Sequence, residues 1–140
     1  MVAEANINYL ALLVAAIINI VLGFLWYSPL LFGKPWMKLM GFTEKHMQEA
    51  KKKGMTKTYI IMIISTLVMT YVLAHFVDYL EVTTVSTALQ LGCWIWLGFV
   101  APIMLGSVLW EGKSVKLYLI NVLYYLVALC LMAIILALWV

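Results

Sequence analysis

Arginine is absent from this chain, and acids are scarce: all nine basic residues are lysines, and Asp and Glu together number six. Charged residues make up 11% of the 140 residues. A soluble domain carries roughly 25%, so a surface solvated by water all round is excluded. Cysteine is limited to Cys93 and Cys130, with no CxxC spacing, which excludes the dithiol of a membrane thiol oxidoreductase. By span position the two cysteines lie at different depths, which disfavours pairing, and they read as packing residues. Histidine is limited to His46 and His75, expected on opposite sides of the membrane. A zinc site needs three or four ligands, so no metal is expected, and no cofactor either. No G-x-S-x-G, H-E-x-x-H or phosphate-cradling glycine loop occurs. The arginines on which membrane glutathione transferases rely are missing. So is the carboxylate that small multidrug transporters bury in their first helix.

What fills the chain is apolar. Hydrophobic residues make up 66% of it, and the mean hydropathy is +1.07. Four long runs, residues 7–28, 58–77, 88–110 and 115–139, are separated by short polar stretches and one longer loop, 29–57. About 20 helical residues cover a bilayer's hydrocarbon core, so each run predicts a membrane span. The expectation is an all-α protein: one polytopic integral membrane domain over residues 1–140, built as a four-helix bundle. The first run reads as a retained helix and not a cleaved signal. It is preceded by Glu4 and no base, and it ends in Trp26-Tyr27-Ser28-Pro29.

The lysines set the expected topology. Lys34, Lys38, Lys45, Lys51, Lys52, Lys53 and Lys57 lie in or at the end of the first loop, and Lys113 and Lys116 follow the third run. The second loop carries Asp78 and Glu81, and the head carries Glu4. The positive-inside rule places the first and third loops in the cytoplasm and both termini outside. Within the first loop, Gly33 to Met40 predicts a short interfacial helix with Pro35 near its start. Thr43 predicts an N-cap for a polar helix to about Lys53, which Gly54 ends. The cytoplasmic interface is expected to gather Lys34, Trp36, Trp110, Glu111 and Lys113. Glu111 opposes its helix dipole and so calls for a lysine partner. Trp26, Tyr27, Tyr59 and Tyr118 read as an aromatic belt at the same level.

Small residues mark expected helix contacts. Ala11, Ala15, Asn19 and Gly23 recur every four residues, with Tyr27 next in the row; Gly98, Pro102 and Gly106 form a second row, kinked at the proline. Burying both rows in so thin a bundle predicts a homo-oligomer.

Polar residues inside spans are few, and each is a functional question. Asn19, Asn121 and Tyr125 read either as interhelical glue or as a polar solute site. His75 and Asp78 lie one turn apart on one helix face, so the carboxylate could orient the imidazole for proton relay. Alternatively, His75 satisfies a helix contact and Asp78 simply ends the span.

Several strings are distinctive: Leu25-Trp26-Tyr27-Ser28-Pro29-Leu30-Leu31-Phe32-Gly33-Lys34-Pro35-Trp36, Ala74-His75-Phe76, Gly98-Phe99-Val100-Ala101-Pro102, Leu109-Trp110-Glu111-Gly112-Lys113 and Asn121-Val122-Leu123-Tyr124-Tyr125. Together they resemble the membrane proteins grouped as domain of unknown function 1761. The resemblance covers nearly the whole chain. It implies a four-helix prokaryotic membrane protein, and it supplies no activity or site residue.

The expected role is oligomeric permeation or transport of a small solute or ion along an intramembrane polar path, in a prokaryotic cell membrane. The alternatives are an accessory or assembly subunit of a larger membrane complex and, after that, an enzyme acting on a lipid or quinone. The bilayer is the expected partner, and nucleic acid is not.

Overall fold

The computed structural model describes residues 5–139. Glu4, part of the topology argument, lies outside them. The regular structure is helical throughout the described residues: α1 Tyr9–Trp26, α2 Gly33–Met40, α3 Glu44–Lys53, α4 Thr56–Tyr79, α5 Val85–Leu109 and α6 Val115–Leu138. Of these, α1, α4, α5 and α6 are long and apolar enough to cross a membrane.

Local chemistry sets the helix ends. Asn8 starts α1, its Oδ1 accepting from the Leu10 and Ala11 amides at 3.1 and 3.2 Å. Ser114 starts α6 by accepting from the Leu117 amide at 3.0 Å. Thr43 caps α3 through a reciprocal box with His46, and three lysines fill its last turn. Gly41 ends α2 at φ 73°, a left-handed conformation that a side chain would strain.

The expected kink in α5 is spread over more than one turn. Pro102 lacks an N–H, and its ring crowds the preceding turn. The helix answers by widening into a π segment over Trp96–Val100, where the Ala101 amide reaches back to the Trp96 carbonyl. Two groups from α6 and α5 pin this region: Tyr118 Oη donates to Ala101 O at 2.7 Å, and Trp96 Nε1 donates to Val122 O at 2.7 Å.

Helix α6 is the hub, packing against α1, α4 and α5 and touching α2. The dense core lies toward the end of the bundle that holds the termini. There Ala15, Leu73, Val77, Ala88, Met132 and Ala133 close on one another. The other end, where α2 and α3 lie, is looser.

The two rows of small residues part company. Ala15 is fully buried, and Gly23 faces the Tyr124 ring, its absent Cβ position 3.1 Å from the hydroxyl. On α5, by contrast, Gly98 has nothing within 4 Å of a Cβ, Pro102 is exposed, and Gly106 has only Trp110 of its own helix nearby. Within one chain that row packs against no other helix. The tight glycine of α5 is Gly92, where a Cβ would lie 2.9 Å from Cys130 Sγ. This contact also corrects the depths expected for the cysteines. Because α5 and α6 run antiparallel, Cys93 and Cys130 each fall about two turns from the terminal end of the bundle. Both are free thiols, Cys93 exposed and Cys130 buried.

Candidate solute site between three helices

The row Ala11, Ala15, Asn19, Gly23 and Tyr27 turns one face of α1 toward α6. At its loop end, where Tyr27 caps the helix, polar groups replace the alanines. Tyr27 Oη donates to Asn121 Oδ1 at 2.8 Å. Tyr124 Oη bonds Asn19 through both its side-chain and its backbone oxygen. Trp26 Nε1 donates to Ile120 O at 2.9 Å, so Trp26 and Tyr27, expected in the aromatic belt, also clamp α1 to α6.

These pairs stand on the wall of a cavity of about 760 Å³ between α1, α4 and α6, with α2 across its loop end. Asn19 is only 3% exposed, yet its amide nitrogen donates to no described group. No fully buried side-chain nitrogen or oxygen lacks a partner among the described residues, so that nitrogen lies on the accessible wall. The Asn121 nitrogen and the Tyr125 hydroxyl likewise have no described partner, and both residues line the same space. Met55, Met62 and Met69 recur every seven residues along α4 and its cap, and Met40 of α2 joins them. Trp36, half-buried and stacked edge-on against Tyr27 at 5.5 Å, closes the cavity toward α2. No lining residue is charged.

A second cavity of about 630 Å³ opens at the other end of the same three helices, beside Asn8, Ala11, Ala74, Asp78 and Glu81. Between the two lies closed packing: Ala15, Thr70 and Met132 are each 0% exposed. Thr70 Oγ1 donates to Thr66 O at 2.7 Å and leans on Met132 Sδ at 3.6 Å. The barrier is about 12 Å long on α1, from Asn19 to Ala11, and about 8 Å on α4, from Met69 to Ala74.

The pairing expected of His75 and Asp78 is replaced by two separate contacts. His75 Nδ1 donates to its own helix at Tyr71 O, 2.8 Å away, with the Tyr71 and Tyr79 rings on either side. Asp78 Oδ2 accepts from the Asn6 amide at 3.0 Å, tying the segment before α1 to the end of α4. An imidazole one turn back on a helix finds a carbonyl of the preceding turn more easily than a carboxylate engaged elsewhere. Asn19, Asn121 and Tyr125 therefore come together, Asp78 borders the other cavity, and His75 lines neither.

At the interface end, Lys34, Trp110, Glu111 and Lys113 are exposed, Trp110 at 88%. The turn holding Glu111 is closed by the Lys113 amide donating to Ser107 O at 3.0 Å, and Gly112 takes φ 68°. Tyr27 and Tyr124 are the site residues that the sequence reading passed over. Their signal was present, since Tyr27 continues the four-residue row of α1 and Tyr124 neighbours Tyr125.

The family model for proteins of unknown function DUF1761 matches residues 10–137. The chain belongs to the DUF1761 family. No curated protein and no solved structure matches it. For this DUF1761 protein the family assignment carries no chemistry, and function has to be argued from the two cavities and the groups on their walls.

Proposed function

We propose that this protein is a small membrane permeation protein that passes an uncharged solute along the seam of α1, α4 and α6. What supports the reading is the pair of cavities on one three-helix seam, separated by a short closed plug. Each cavity is a vestibule, and the plug at Ala15, Thr70 and Met132 is the gate. Free amide nitrogens of Asn19 and Asn121 replace part of the solute's hydration in the inner vestibule, with Tyr125 beside them. In this reading the lysine-rich end is cytoplasmic and the termini are outside, in the cell membrane of a prokaryote. The copies associate through the outward face of α5, where Gly98 leaves room for a neighbouring backbone.

That same face favours the second reading, an accessory subunit of a larger membrane complex. Trp94 and Phe99 are each 71% exposed there, and large aromatic residues suit a protein contact. The two readings separate in proteoliposomes loaded with a panel of labelled polyols, urea and short-chain amides. A permeation protein passes at least one class faster than protein-free vesicles do, and Asn121→Leu slows it. Rates equal to protein-free vesicles across the panel would reject permeation.

A further inference from the structure

We infer that the inner vestibule takes an uncharged amphiphile bearing a carbonyl oxygen, which enters sideways from the bilayer. This deepens the proposal above and rests on its reading of the cavity as a solute site.

Charge is excluded first. The wall holds no acid or base, and an ion in so apolar a setting would go without a counter-charge. Hydrogen-bond polarity comes next. The Asn19 and Asn121 carbonyl oxygens already accept from the Tyr124 and Tyr27 hydroxyls. Each amide nitrogen makes no described bond and can only donate, so the unmet capacity of both amides is chiefly a donor. The complement is an oxygen acceptor.

The remaining wall selects the body of the ligand. Met40, Met55, Met62 and Met69 offer flexible, polarizable surface that adapts to an irregular apolar shape. A cavity of about 760 Å³ falls within the range that holds a ring with a short chain. The side opening follows from the rim. Phe24 on α1 and Tyr59 on α4 line the cavity with ring centroids 6.3 Å apart, yet they are 59% and 41% exposed. Both lie near the loop ends of helices long enough to span a membrane, so their exposed surface faces the boundary between headgroups and acyl chains, and a lipophilic ligand reaches the amides from the bilayer.

The test uses the full chain in phosphatidylcholine nanodiscs, with a labelled alkyl benzoquinone as probe. Saturable binding is expected. An alkylbenzene of equal size, lacking oxygen, competes at least about tenfold more weakly, the loss expected for one missing hydrogen bond to a desolvated donor. A monoacylglycerol competitor distinguishes the sources of the carbonyl: strong competition points to a glycerolipid ester, and weak competition to a quinone ring. Asn121→Leu removes one of the two free amide donors, so affinity falls about tenfold or more. Met62→Trp adds bulk to the α4 wall of the vestibule and weakens binding in a protein of unchanged melting temperature. Equal competition by the alkylbenzene, equal competition by a tetraalkylammonium ion, or unchanged affinity in Met62→Trp would overturn the inference. Quinone binding without solute uptake would sink permeation and leave this inference standing. Polyol uptake without quinone binding would do the reverse.

Discussion

Gly92 of α5 rests directly on Cys130 of α6: a Cβ on the glycine would lie 2.9 Å from Sγ and 3.0 Å from the cysteine Cα. The second distance is to backbone, which cannot swing aside. Gly92→Val is therefore expected to lower stability by about 1–3 kcal/mol, as overpacking of a close contact does. Gly98→Leu, with open space around it, should leave monomer stability unchanged. Thermal unfolding in detergent reads both. If Gly98→Leu instead shifts the oligomer distribution on a sizing column, the outward face of α5 is the contact between copies.

The Tyr27 to Asn121 bond joins the end of α1 to α6. A double-mutant cycle of Tyr27→Phe and Asn121→Leu should give a coupling of about 0.6–2 kcal/mol, the range for hydrogen bonds between membrane helices. Additive effects would mean that the two side chains do not meet.

Met132 is the largest fully buried side chain of the plug. Met132→Ala should cost about 2–5 kcal/mol and open a connection between the vestibules, so solute permeability rises even as stability falls. Leu91→Ala, buried against α6 but away from the seam, should lose comparable stability with no leak. Equal leak in both would trace the effect to loosening of the whole bundle.

His75 bonds only its own helix backbone, so His75→Ala is expected to change stability by less than about 1 kcal/mol and to leave solute uptake unchanged. Asp78→Ala removes the acceptor of the Asn6 amide. Hydrogen exchange just before α1 should quicken in that variant, and exchange that stays slow would show another anchor for the segment.

The orientation is tested with an impermeant thiol reagent on intact cells, in a background with Cys93→Ala and Cys130→Ala. Thr84→Cys should label from outside and Lys52→Cys should not. The opposite pattern would invert the bundle.

Much of this fold was legible without coordinates. The four long helices follow from run length and hydropathy, and the two loop helices from Pro35, Thr43 and Gly54, because such signals act within one or two turns of chain. The row on α1 was legible too, since a four-residue spacing of small residues survives as one helix face. The row on α5 had the same local appearance but a different fate. Spacing says which residues share a face, and it cannot say whether a helix or lipid lies opposite, because both are apolar.

The site divides along the same line. The sequence by itself determined that four helices are long and apolar enough to cross a membrane, roughly where they begin and end, and which few polar groups lie within them, because composition and local hydrogen bonding decide those matters. Only the tertiary structure decided that Asn19 and Asn121 share a cavity with Tyr27 and Tyr124, that His75 turns to its own helix, and that Gly92 carries the tight α5 contact. Each depends on the rotation and depth of one helix against another. Those are set by the summed packing of side chains far apart in sequence, and no local pattern records them.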